Sequence, residues 1–328
     1  MGMPASERRV MRPPSICKAH PAQALLLRIA SGRENSWCEY LPPLVRESRL
    51  PESSEPHSGP DAEDRLEIGS PISVSGRVWL LSQHARGCRW VQQALRSPQT
   101  TESERIALAY ELRGHVVEAV RCPHANHVLQ KCITKVPHEA LQFVIEEIRA
   151  ASPFQIARHK YGCRIMQRLI EHFPRALIRD LVDEVLLNAA RLSADAYGNY
   201  VVQNILANGT LADRLRIWRA VVDDPVSFCT DSHSLLVVSA VMDNMGVQAC
   251  SELCARILLE PGLVEAMSRT RPGAVLVFRA LECLGDGEQQ LVAAALSARA
   301  LSIALAPHGQ EVLEHVEQLL LFHEEHST

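Results

Sequence analysis

Aromatic side chains are scarce in this chain, at 5% of its 328 residues. A core with so few rings must be built from Leu, Val, Ala and Ile, which favours helices packed by aliphatic side chains. No run of about eighteen apolar residues occurs, so no membrane-spanning helix is expected. The ten cysteines form no closely paired framework. That argues against a small disulfide-stapled extracellular scaffold and for a reduced, intracellular compartment. Cys122, His124, His127 and Cys132 match no standard zinc-finger spacing. Cys250 and Cys254 stand four apart on a helical pattern and read as a buried pair. The histidines are scattered, without a nucleophile, base and orienter that chain order could support. No catalysis, metal or cofactor is therefore expected. Hydrophobic residues at 47% and charged residues at 22% are ordinary for a soluble folded protein.

What the chain does contain is a repeat. His84 to Gln92, Cys122 to Gln130, His159 to Gln167 and Asp195 to Gln203 share one nine-residue form. Their inner boxes start at Cys88, Asn126, Cys163 and Asn199, at spacings of 38, 37 and 36 residues. Ala125 takes the place of the glycine found in the other three. A period in this range marks a stacked-repeat solenoid. Between the boxes lie amphipathic stretches. In one, Leu177, Ile178, Leu181, Val182, Val185 and Leu186 recur at helical spacing. Each repeat thus reads as an amphipathic helix, a short connection, and a second helix carrying the box.

Charge follows the repeats. Residues 77–220 hold 20 Lys and Arg against 13 Asp and Glu, a balance of +7. Residues 221–328 hold 5 against 15, a balance of −10. The positive part coincides with the regular boxes, where local charge could meet phosphates. Residues 1–74, rich in Pro, Ser, Arg and Glu, read as a mostly disordered extension with one apolar patch, Ala22 to Ala30. Met1-Gly2 with Ser6 fits the minimal N-myristoylation pattern, a motif short enough to arise by chance. Glu7 and the prolines weaken a transit-peptide reading.

At 100° per residue, Asn199, Tyr200 and Gln203 fall on one side of the box helix, and Val201, Val202 and Ile205 on the other. Leu206 falls at the seam. Cys163, Arg164 and Gln167 stand likewise opposite Ile165, Met166 and Leu169. Gly162 and Gly198 suit a tight helix entry, and Asp195 is placed to cap it. The chemistry of that polar side fits a nucleobase. Arg89, His127, Arg164 or Tyr200 can stack on a base, a contact worth roughly 1–3 kcal/mol in single-strand binders. Asn and Gln each carry both donor and acceptor, which suits the edge of uracil, whereas Cys beside Gln leaves room for a purine.

The boxes Cys88 to Gln92, Asn126 to Gln130, Cys163 to Gln167 and Asn199 to Gln203 resemble the Pumilio, or PUF, repeat of single-stranded RNA-binding proteins. The flanks Leu81 to His84, Gln167 to His172 and Asn199 to Gly209 resemble it too. The resemblance covers about residues 75–210. It implies an all-α, right-handed curved solenoid of three-helix repeats, an armadillo-like superhelix, reading one base per repeat. By that resemblance Cys88, Gln92, Asn126, Gln130, Cys163, Gln167, Asn199 and Gln203 contact base edges. Arg89, His127, Arg164 and Tyr200 stack. Asn with Gln implies U and Cys with Gln implies A. The family binds RNA antiparallel, so the implied core is 5′-UAUA-3′ from the Asn199 repeat back to the Cys88 repeat.

Beyond Gly209 the framework continues with a changed face. Leu235 to Ser239, Ala274 to Phe278 and Gln310 to Glu314 keep the period. They cannot read a base in the same way. Residues 211–328 are therefore expected to be degenerate or capping repeats, completing a repeat domain over 75–328. Their acidity suits a protein partner better than RNA. No Ser…Glu box stands where the family reads the guanine of its 5′ UGU signature. Three functions remain open at this point: a monomeric binder of messenger RNA acting post-transcriptionally in the cytoplasm, a helical armadillo- or HEAT-type protein scaffold, and a nuclear or nucleolar binder of structured RNA. The fixed Asn or Cys, ring or cation, and Gln positions favour the first, since a scaffold has no reason to repeat them.

Overall fold

A computed structural model describes residues 74–326, with side chains through Phe322. They lie in one compact unit, Asp61–Thr328. The expected extension, the Ala22 to Ala30 patch and the acylation motif lie outside the described residues. Among the described residues every regular element is helical, and the elements fall into triplets.

The first triplet is α1 (Val78–Ser82), α2 (Ala85–Arg96) and α3 (Glu102–Tyr110). The second is α4 (Val116–Arg121), α5 (Ala125–Lys135) and α6 (Gln142–Ala150). The third is α7 (Pro153–Ala157), α8 (Gly162–His172) and α9 (Arg179–Leu187). The fourth is α10 (Ala189–Ser193), α11 (Gly198–Asn208) and α12 (Leu211–Asp223). Two more follow: α13 (Pro225–Thr230), α14 (Ser234–Asn244) and α15 (Val247–Leu259); then α16 (Leu263–Met267), α17 (Arg271–Glu282) and α18 (Asp286–Ser297). A closing pair is α19 (Ala300–Ala304) and α20 (Gly309–His326). The connection expected before each box is thus itself a short helix, giving three helices per repeat.

The chain ends these helices by local chemistry. After α2, α5 and α8 the chain turns extended at Ser97, Val136 and Phe173, each the residue before a proline. Pro153 and Pro225 open α7 and α13, where the missing N–H costs no helical bond. Thr101 with Glu104, and Thr210 with Asp213, form reciprocal capping boxes on α3 and α12.

The box helices pack side by side in one layer, and the third helices line the other. Val91, Val128, Ile165 and Val201 are fully buried between the layers, as are Val202 and Ile205. Leu206 is equally buried, although its angle placed it at the seam. A box helix is flanked by neighbouring box helices on both sides, so its buried arc is wider than that of a helix lying on a surface.

The repeated glycine has a steric reason. A Cβ at Gly87, Gly162, Gly198, Gly273 or Gly309 would approach the carbonyl of Leu81, Ile156, Leu192, Met267 or Ile303 within 3 Å. The preceding short helix simply lies too close. None of these five has positive φ, so close approach rather than backbone freedom sets the residue.

Candidate functional site

Three of the box helices begin on a pair of backbone amides held by one side chain, and a fourth on a single held amide. Asp195 Oδ1 accepts from the backbone N–H of Tyr197 and Gly198 at 3.0 and 2.9 Å, as expected of a cap. Asp231 does the same for His233 and Ser234 one repeat later. His159 Nδ1 accepts from Tyr161 and Gly162, and Thr270 Oγ1 from Gly273. In these repeats the held start fixes the register of the box residues that follow.

The first box position is not on the open surface. Cys88, Asn126, Cys163 and Asn199 are 4, 1, 1 and 0% exposed. The helical wheel put Asn199 beside Tyr200 and Gln203, but packing of the adjacent box helix closes over it. Asn199 Nδ2 donates to the Asp195 carbonyl at 2.7 Å, and Asn126 Nδ2 to the Cys122 carbonyl at 2.8 Å. Each asparagine Oδ1 then accepts from the glutamine one turn on: Gln203 Nε2 at 2.8 Å and Gln130 Nε2 at 3.0 Å. With its amide nitrogen engaged, each glutamine has its Oε1 as the remaining acceptor.

The cysteine repeats differ. Burial raises the thiol pKa of Cys88, and takes that of Cys163 to about 11, so both are small neutral groups. Each donates to a carbonyl three residues back, at 3.3 and 3.4 Å. Gln167 beside Cys163 is buried, and its Nε2 has no hydrogen-bond partner. A buried amide donor left unpaired is costly, so this one is primed for an acceptor.

The second position of each box is open. Arg89 and His127 are exposed, and Arg164 and Tyr200 are half-buried. Desolvation and the nearby His124 hold His127 below the ordinary histidine range, leaving a neutral ring at pH 7. The four stand at the same point of four adjacent helices, so the layer presents a row of planar or cationic groups beside a row of glutamines.

Spacing gave no sign of a basic cleft at the head of α8. Arg121, Gln155, Arg158 and His159 line about 340 Å³ of it. Arg158 pairs with Asp195 at 2.7 Å, whereas Arg121 has no partner among the described residues. The signal was there as arginine five residues before the box in two successive repeats. Another unread signal was Glu111, Glu147 and Glu184 at spacings of 36 and 37. These carboxylates accept from the first amides of α1, α4 and α7.

In the last three repeats the face is gone. Leu235 is buried and Leu236 half-buried, while Ser239 accepts from Arg279 of the next repeat. Phe278 is buried against His315, their ring centroids 4.9 Å apart. Gln310, Glu311 and Glu314 are exposed, and two of the three are acidic.

A model of the Pumilio-family RNA binding repeat matches residues 77–107, 115–149, 154–186 and 188–221. The chain is 38% identical over 95 residues to a Pumilio domain-containing protein of Schizosaccharomyces pombe. It is 36% identical over 95 residues to Pumilio homology domain family member 4 of Saccharomyces cerevisiae. Each alignment covers 29% of this chain, but only 14% and 11% of those much longer relatives. Among solved structures, PUF-8 in complex with PBE-RNA superposes with a TM-score of 0.69 at 22% identity, covering 76% of this chain and 73% of that one. That likeness shows the fold, an all-α curved solenoid. No helix of the described residues is long and apolar enough to cross a membrane.

Proposed function

We propose that the chain, whose residues 77–107, 115–149, 154–186 and 188–221 match the Pumilio-family RNA binding repeat, is a non-catalytic, sequence-selective binder of single-stranded RNA. Repeats one to four each take one base. Arg89, His127, Arg164 and Tyr200 supply the stacking surfaces. Gln92, Gln130, Gln167 and Gln203 meet the base edges, with Cys88, Asn126, Cys163 and Asn199 setting what each glutamine presents. RNA runs antiparallel to the chain, and the core is 5′-UAUA-3′.

The observation that carries this reading is the asparagine–glutamine bond. In the second and fourth repeats it holds the glutamine amide in one orientation, with one N–H of Nε2 on the asparagine and the carbonyl oxygen left as an acceptor suited to the N3–H of uracil. In the third repeat no asparagine is present, and the glutamine keeps both a free donor and an acceptor. Adenine offers a complementary pair, its N1 acceptor and N6 donor. The first repeat has the same Cys and Gln types. The alternation of U and A readers is thus supported by side-chain chemistry as well as by the repeat match. The positive balance of residues 77–220 supplies the sequence-independent attraction.

By the same reading the protein acts on messenger RNA after transcription, as a monomer in the cytoplasm. Residues 75–328 then form one repeat domain, in which the acidic repeats over 211–328 face a protein partner. The test is binding of the whole chain to short RNAs carrying UAUA and each single-base variant, at one stated salt concentration. A loss of about 5- to 100-fold per wrong base is expected, from roughly 1–3 kcal/mol per specific base contact. Equal affinity for every variant would refute the base assignments, and absence of binding would refute the function.

A further inference from the structure

Three cysteines of the acidic half meet at one point. Cys250 and Cys254 stand one turn apart on α15, the third helix of the fifth repeat. Cys283 is the C-terminal cap residue of α17, the box helix of the sixth. Their three Sγ atoms all lie within 4.8 Å of one another, and the Cys250 and Cys254 sulfurs are 3.9 Å apart. Spacing alone read the first two as an inert buried pair. The fold adds the third from the next repeat.

We propose that Cys250, Cys254 and Cys283 form a binding site for one thiophilic metal ion of the Zn²⁺ type, with Glu282, whose carboxylate lies outside the three-sulfur cluster, turning in as the fourth donor. The geometry is close to what such an ion asks for. Zinc–sulfur bonds of about 2.3 Å in a tetrahedron place sulfurs roughly 3.8 Å apart. One pair is already there, and the others need only a small side-chain adjustment. Three soft sulfurs select Zn²⁺ over the hard ions Mg²⁺ and Ca²⁺, which prefer oxygen.

Two further features point to a ligand. Glu282, next to Cys283, has a carboxylate oxygen that is buried with no hydrogen-bond partner. An unpaired buried carboxylate oxygen is costly, and a cation would relieve it. The cysteines also offer a way in: Cys254 is fully buried and Cys250 nearly so, while Cys283 is half-buried at the rim. Arg279 is close enough for its charge to act on Cys250, Cys283 and Glu282, but it is held by other partners. Its two terminal nitrogens are engaged by Ser239 and Asp243 on α14. The α17 C-terminus adds the negative end of a helix dipole at Cys283.

A bound ion would staple the third helix of one repeat to the box helix of the next. That is a structural role, independent of the RNA-binding reading. The test uses the full chain, stripped with chelator under reducing conditions and titrated with Co²⁺ and then Zn²⁺. Expected are one ion per chain, the intense sulfur-to-cobalt charge-transfer absorption of a tetrahedral thiolate site, and its displacement by Zn²⁺. Cys283→Ser, at the half-buried position, should fold and lose the charge-transfer band, with Zn²⁺ affinity down at least 10-fold. Cys122→Ser, in the second repeat, should leave both unchanged. Glu282→Gln should weaken Zn²⁺ about 10-fold. No binding, or a spectrum unchanged by Cys283→Ser, overturns the site. Unchanged affinity in Glu282→Gln overturns the fourth donor.

Discussion

The first four repeats and the last three share a skeleton and differ in their faces. Gly87, Gly162 and Gly198 recur as Gly273 and Gly309, each set by a backbone a Cβ would strike. The Asp195 cap recurs as Asp231. Val201 and Val202 recur as Val237 and Val238, all fully buried. What changes is the first position of the box, from Cys or Asn to Leu, Ala or Gln, and with it the second and fifth. Arg, His or Tyr with Gln gives way to Leu with Ser, Val with Phe, and Glu with Glu. Stacking a solenoid constrains the buried positions, because each repeat must close over its neighbour. The outward positions answer only to what they bind. The comparison teaches that continuation of the fold and continuation of the polar box face are separate properties, with the boundary between Gln203 and Leu235.

The strongest way to break this comparison is to remove the row of stackers. A variant with Arg89, His127, Arg164 and Tyr200 all changed to Ala should lose at least 100-fold in affinity for UAUA RNA. Four contacts at roughly 1–3 kcal/mol each would give more if they added fully. The matched variant in the other region, with Leu236, Val275 and Glu311 changed to Ala, should bind as the parent does. Equal losses in the two variants would mean that the acidic repeats also touch RNA.

The two regions also differ in how their ion pairs are held. Asp213 is nearly buried and meets Arg175 through two bonds of 2.9 Å while closing the capping box on α12. Glu265 pairs with Arg299 in a more open setting. Asp213→Ala should cost about 3 kcal/mol of unfolding free energy, the low end for breaking a buried pair, since Arg175 keeps Asp183. Glu265→Ala should cost about 1 kcal/mol or less. Denaturant unfolding of both variants measures the difference, and a reversal would place the tighter junction in the acidic half.

Much of this was legible in the sequence because it repeats. The period, the box register and the buried aliphatics followed from spacing, and Asp195 as a cap followed from its place before Gly198. Three things were not. The short helices α4, α7 and α10 are only five or six residues long, too short for a period to show. The burial of Asn126 and Asn199 comes from the neighbouring repeat, and a single-helix wheel has no neighbour. The meeting of Cys283 with Cys250 and Cys254 likewise depends on how two repeats stack. Periodicity reports what each helix does alone, whereas inter-repeat contacts appear only when the stack is assembled.

A smaller effect tests the base assignments directly. Asn199→Cys should shift preference at the 5′-most base of the core from U toward A, by about 5- to 100-fold in the ratio of affinities. The cause is local: without Asn199 Oδ1 the Gln203 amide is no longer held in one orientation and can turn a donor as well as its oxygen to the base. A shift at a different base would overturn the antiparallel register. The converse graft, Leu235→Asn with Leu236→Tyr and Ser239→Gln, should add a U preference one base further 5′. A graft that folds and adds none would mean that the acidic half turns its box helices away from the RNA.

The smallest expected effect concerns acid. Burial alone would raise the carboxyl pKa of Asp195, Asp213 and Glu265, but bonds from Arg158, from Arg175 with Thr210, and from Arg299 outweigh it and hold all three below their ordinary values. A carboxyl depressed in the folded state binds its proton more readily once the chain unfolds, so acid favours the unfolded form. The stability these groups add is full above the unfolded-state values, 3.8 for Asp and 4.5 for Glu, and is lost as pH falls through the folded ones. The thermal midpoint should therefore begin to fall below about pH 6.5, where the depressed histidines His127, His159 and His315 protonate more readily in the unfolded chain, and should fall more steeply below about 4, where the carboxyls follow. Asp213→Asn should start lower and lose less in that final drop. Because such groups occur on both sides of the boundary at Leu235, the two regions should unfold together in acid. Two separated transitions, read by amide exchange along the chain, would show that the shared skeleton couples them less than its packing implies.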